Sequence, residues 1–131
     1  QPPADRKIDG HDITPLLYGV ENAQTPYEVF YYYHLDQLQA VRSGPWKLFL
    51  PVEYTGQHPH FDKTHPPQPL LFNVVEDIAS EHNVAAEHPE IVARLNRLAD
   101  AARKDLGDTG IAGRGQRAPG KVAKVTPRLL E

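Results

Sequence analysis

The chain holds 131 residues, with 14 Lys and Arg against 17 Asp and Glu, 13 Pro, nine Gly, and neither Cys nor Met. At 40% hydrophobic and 24% charged residues it has the balance of one small globular domain with an appended segment, and is not disordered throughout. The lack of Cys excludes a disulfide scaffold, a thiolate zinc site and a cysteine nucleophile, and no apolar run is long enough to cross a bilayer.

The opening Gln1-Pro2-Pro3-Ala4-Asp5-Arg6 has none of the zones of a secretion signal and reads as the boundary of a fragment of a longer protein. The stretch from Ile8 to Gly19 offers Asp12 or Thr14 as a cap, Pro15 at a first helical position and Gly19 as a stop, which predicts a single helical turn. Residues 1–26 are therefore expected to be an extended linker. The run Glu28 to His34, dense in Tyr, Phe and Val, predicts a strand in which Tyr31 and Tyr33 share one face and Tyr32 takes the other.

Asp36 interrupts that run, and the alternating Gln37 to Arg42 leads through Ser43-Gly44-Pro45 into Trp46-Lys47-Leu48-Phe49-Leu50, the pattern of a hairpin. Trp46, Leu48 and Leu50 are expected to face the core, with Lys47 and Phe49 opposite. From Pro51 to Pro69 lie five prolines and His58, His60 and His65 beside Tyr54, Phe61, Asp62 and Lys63, a long loop of the kind that usually carries function. Leu70 to Val75 predicts a further strand ended by Glu76-Asp77. His88-Pro89-Glu90 then opens an amphipathic helix with Val92, Leu95, Ala99, Ala102 and Leu106 on one stripe, stopped by Gly107.

The reading is an α+β domain over 27–106, a small antiparallel sheet of about four strands packed against one long C-terminal amphipathic helix. Residues 107–131 carry Arg114, Arg117, Lys121, Lys124 and Arg128 against Asp108 and Glu131, a net +3 with five glycines, while the body is net −6. The tail has no aromatic residue to stack on bases, so it is expected to be a solvated basic extension with no role on nucleic acid.

Within the chain the chemistry is sparse. The histidines of the Pro51–Pro69 loop, with Asp62, have the ligand types of a zinc site but no regular ligand spacing, so exposed loop histidines are the simpler reading. Ser43 and Ser80 sit in no nucleophile elbow, Asp77, Glu81 and His82 read as turn chemistry, and no Gly-rich phosphate loop follows a strand. No catalytic or metal residue is assigned here.

Taken in order, Ile8 to Gly19, Phe30-Tyr31-Tyr32, Leu38 to Leu48, Leu71 to Asp77, Glu81 to Ala85 and the helix from His88 to Asp108 resemble the carboxy-terminal part of the formylglycine-dependent sulfatases, the arylsulfatase A-like group. Ile78-Ala79 stands where that family often has a Pro-Gly-like turn, and Phe49 where a His often follows Trp-Lys-Leu. The resemblance implies a domain of four antiparallel strands on one long helix, completing a larger amino-terminal catalytic domain. By the same resemblance, sulfate-ester hydrolysis belongs to that larger domain. It would supply the formylglycine, made from Cys or Ser in a Cys/Ser-x-Pro-x-Arg motif, and the Asp and Asn ligands of Ca²⁺.

The resemblance also makes the Pro51–Pro69 loop one wall of the substrate cleft, with Tyr54, His58, His60 and His65 as candidate contacts and Lys47 as a fifth. The expected partners are the protein's own catalytic domain and a sulfate ester, with neither nucleic acid nor membrane, and the family's frequent export implies a periplasmic or secreted parent. The isolated chain is expected to be inactive and to self-associate through its uncovered apolar surface. The alternatives are a free-standing β-rich module binding carbohydrate or protein, and a metal hydrolase built on the His-rich loop.

Overall fold

Pro89 at the first helical position, Glu90 in the first turn and Arg103 and Lys104 in the last all favour one long helix in the computed structural model, which describes residues 8, 10–52, 67–118 and 120–123. The elements are α1 (Thr14–Leu17), β1 (Phe30–His34), β2 (Gln37–Ser43), β3 (Trp46–Phe49), β4 (Leu70–Asn73), α2 (Pro89–Asp105), β5 (Gly107–Asp108) and β6 (Ile111–Ala112). Strands β1 to β4 form one antiparallel sheet in chain order, and α2 packs across β2 and β3, so the α+β expectation holds. In α1 the cap position is Ile13, and Asp12 instead accepts the Thr14 N–H at 2.9 Å through Oδ1.

Both hairpins have two-residue connections. Ser43 faces Trp46 across Gly44-Pro45, where Gly44 takes φ +58, a conformation that suits a glycine at the first turn position. His34 faces Gln37 across Leu35-Asp36, with the non-glycine Leu35 at φ +54 and its side chain 89% exposed.

The β1–β2 register shifts between Tyr32, which faces Ala40, and Tyr33, which faces Leu38. Gln39 is the extra residue, and a bulge of this kind reverses which face the following side chains take. Leu38 and Val41 therefore both point to the helix although three residues apart, and Ala40 and Arg42 point away. Plain alternation along Gln37–Arg42 cannot reveal that switch.

The helix side holds the main core, with Leu38, Val41, Leu48, Leu50 and Leu71 packed against Leu95, Ala99 and Ala102, all at 4% exposure or less. Tyr31, Tyr33 and Trp46 border it, as strand parity predicts, and the Trp46 ring lies 5.0 Å from that of His88. Phe49 was expected opposite this core, and it is, yet it is also buried. With Ala40 and Phe72 it makes a second small core on the outer face, where the Phe49 and Phe72 rings meet edge-on at 5.9 Å.

The edge of β4 is held by the turn that follows it. Asn83 accepts the Leu71 N–H at 2.9 Å and the Ala85 N–H at 3.1 Å through one oxygen, and the Val84 N–H returns to the Leu71 carbonyl. Asp77 organises the same turn by accepting the Glu81 and His82 N–H groups, the turn chemistry read from sequence. Those two bonds hold its carboxyl below the usual range.

At the end of α2, Gly107 takes φ +96, and β5 and β6 form a short hairpin rather than leaving the body. Asp108 fastens it. Its carboxylate accepts the Leu38 N–H at 3.0 Å, the Thr109 N–H at 2.9 Å and Arg103 Nε at 2.8 Å, while the Tyr33 hydroxyl donates to the Gly107 carbonyl at 2.8 Å. Residues 107–116 are thus tied to the sheet and to the helix end, where Arg114 and Gly115 donate to the Lys104 and Asp105 carbonyls.

Candidate functional site

The two-residue Gly44-Pro45 turn fixes the register so that Arg42 stands directly opposite Lys47. Opposed residues share a face, and this pair lies on the side away from α2. Across the four strands one row reads Phe30, Arg42, Lys47, Phe72, and the next reads Tyr32, Ala40, Phe49, Leu70. The small Ala40 separates two rings, and Lys47 Nζ sits 4.5 Å from the centroids of both Tyr32 and Phe49.

Arg42 turns its Nε to the Gly44 carbonyl at 3.2 Å, and none of the ion pairs among the described residues involves Arg42 or Lys47. Burial, and then the nearby Arg42 charge, lower the pKa of the Lys47 ammonium. Like charges placed directly opposite repel, so the pair is arranged to gain from an anion. Rings continue outward from it: Phe30 is 49% exposed and Tyr32 39% exposed, Tyr27 lies 5.6 Å from Phe30, and His11 meets Tyr27 edge-on at 4.9 Å.

A concavity lies at the other end of the sheet. This open groove of ≈ 670 Å³ is bordered by Tyr33, Leu35, Asp36, Leu106, Asp108 and Ile111 among others. The Asp108 carboxylate is already engaged: burial raises its pKa, but the Arg103 hydrogen bond and the Leu38 and Thr109 N–H groups outweigh that and hold it below the usual range. Burial and the Asp108 charge push the Tyr33 phenol up. Both groups serve as structural fasteners.

Of the residues singled out in the sequence, Lys47 is placed by the structure, on the outer face with its ammonium over two rings. Tyr54, His58, His60 and His65 lie outside the described residues. Arg42 was missed as a site residue. The signal for Arg42 was available in the turn length, since a two-residue Gly-Pro connection puts the second residue before Gly44 opposite the second after Pro45. Among the described residues no group of three or more His, Asp or Glu is positioned to hold a metal ion. No described helix is long and apolar enough to cross a membrane.

Comparison with known proteins adds the family context. Residues 25–117 match the family model described as the C-terminal region of aryl-sulfatase, a span that takes in β1 to β6 and α2. No curated protein matches. Among solved structures, a sulfatase of Bacteroides thetaiotaomicron, described as part of a versatile core genetic locus for the metabolism of multiple glycosaminoglycans, is similar at 25% identity with a TM-score of 0.58. The match covers 77% of this chain and 21% of that one, so the present chain spans about a fifth of the relative's length.

Proposed function

This chain belongs to the family of aryl-sulfatase C-terminal regions, and from that premise we propose that it completes the fold of a sulfuric ester hydrolase and one wall of its substrate cleft. The observation that carries the reading is the agreement between the match over 25–117 and a four-stranded sheet with one face taken by α2. The outer face, with Arg42, Lys47 and exposed aromatic rings, is then the side available to the cleft. Lys47, together with Tyr54, His58, His60 and His65 of the Pro-rich segment between Pro51 and Pro69, is assigned to that wall. The glycosaminoglycan setting of the Bacteroides thetaiotaomicron relative supports a sulfate ester carried on a sugar as the substrate.

The formylglycine and the calcium ion belong to the catalytic domain of the longer protein, and no step of the hydrolysis is assigned to residues of this chain. The test is to read the gene on the amino-terminal side and assay both products. A Cys/Ser-x-Pro-x-Arg motif is expected there, with turnover of a chromogenic aryl sulfate by the longer protein and none by residues 1–131. Turnover by the 131-residue chain alone, or a gene without the motif, would overturn the reading.

The same reading accounts for the apolar surface. Leu17 is 76% exposed, Tyr18 82%, Val75 66% and Ile78 85%, and in the longer protein these side chains are available for the catalytic domain to cover. Residues 1–131 alone are expected to self-associate with rising concentration. A monodisperse monomer in size-exclusion chromatography with light scattering, at high concentration, would count against that.

A further inference from the structure

We infer that Arg42 and Lys47 form an oxyanion-recognition site on the outer sheet face, taking a sulfate or carboxylate group of an acidic sugar. The inference deepens the sugar-sulfate reading above and rests on it for the class of ligand.

Three observations carry it. The register of β2 and β3 places two cations side by side, and no described carboxylate pairs with either. Both are anchored: Lys47 Nζ is held between the Tyr32 and Phe49 rings at 4.5 Å from each, and Arg42 Nε is tethered to the Gly44 carbonyl. Little side-chain entropy is then left to lose when an anion binds. The guanidinium also keeps donors beyond Nε for the planar, two-point contact that carboxylates and sulfates accept, while the ammonium supplies a point charge.

The surroundings select the ligand further. Phe30 and Tyr32 expose ring surface beside the cations, and Tyr27 and His11 extend the aromatic strip along the N-terminal segment. A flat apolar ring face next to two cations that no described carboxylate pairs suits a pyranose carrying an acidic group, which offers C–H bonds to the rings and oxygens to the charges. The site lies on the sheet surface, so it would read an anionic group of the substrate other than the sulfate being cleaved.

The experiment is calorimetric and NMR titration of residues 1–131 with a sulfated, uronate-containing disaccharide, with inorganic sulfate and with a neutral disaccharide. Saturable binding of the acidic disaccharide is expected, with shifts centred on Tyr32, Arg42 and Lys47, weaker binding of sulfate and none of the neutral sugar. Lys47→Gln and Arg42→Gln should each weaken binding about tenfold, as loss of one charge-assisted contact does. Lys47→Arg should retain it, and unchanged circular dichroism would show that the variants fold.

Equal binding by the neutral sugar, or wild-type affinity in the Arg42→Gln/Lys47→Gln chain, would overturn the site. The other source of an oxyanion is a carboxylate of the longer protein itself. If that carboxylate occupies the pair, Lys47→Gln in the longer enzyme lowers its melting temperature and leaves KM for an acidic sugar sulfate unchanged, and the inference fails. The expected result is a raised KM at unchanged melting temperature. If the acidic sugar does not bind while the longer protein still turns over aryl sulfate, this inference falls and the sulfatase reading stands.

Discussion

A Leu95→Ala chain is expected to lose about 3 kcal/mol of stability, the usual cost of emptying a fully buried leucine site. Leu95 has no exposed surface and sits where the helix stripe meets Val41, Leu48 and Leu71 of three different strands. The helix cannot close that space by moving inward, because its small Ala99 and Ala102 already bring it close to the sheet. A domain of this size has on the order of 5–15 kcal/mol in total, so the loss is a large fraction of it and the variant should melt at a clearly lower temperature. Urea denaturation checks this: the midpoint should fall with an unchanged slope, and exposed Arg97→Ala should stay within about 0.5 kcal/mol of wild type. Equal midpoints for the two variants would show that α2 does not carry the core.

The second large effect is expected at Asp108. Asp108→Ala removes the acceptor of the Leu38 N–H and the partner of Arg103 together, and a part-buried donor left without an acceptor costs about 1–3 kcal/mol. The same carboxylate makes stability depend on pH. Its folded pKa lies below the unfolded value near 3.9, so its contribution is fully present above that value and is lost as pH falls through the folded pKa. Wild type should therefore show a steeper acid limb than Asp108→Ala in unfolding measured from pH 7 to pH 2. Parallel acid limbs would assign the acid sensitivity to other carboxylates, with Asp77, also held low by its turn, the next to substitute.

The long helix was legible because Pro89, Glu90, the Leu95-Ala99-Ala102 stripe and Gly107 all point to one element, and local chemistry settles each of them. The Tyr31/Tyr32/Tyr33 split was legible for the same reason: parity along a strand is local. What could not be read depends on pairing. Gln39 looks like any polar strand residue, and only its partner strand shows that it is surplus and that Leu38 and Val41 share a face. Phe49 and Phe72 lie far apart in sequence, so their edge-on contact appears only once β3 and β4 are aligned. The β5–β6 hairpin was hidden by its glycines, which read as tail, although the acidic Asp108 among basic residues was a hint of a specific partner. For the candidate site, Lys47 could be named from sequence, while Arg42 required the hairpin register.

The chain order of the elements has a consequence for how the molecule is made. Each strand pairs with its neighbour in sequence, so during synthesis the β1–β2 and β2–β3 hairpins can close within microseconds of emerging, and β4 joins after its connection is complete. The helix comes after all four strands. Until Leu95, Ala99 and Ala102 have left the ribosome, the side of the nascent sheet bearing Leu38, Val41, Leu48 and Leu71 is not yet covered by α2. That interval is when a chaperone has most to protect, and it closes as soon as α2 is released.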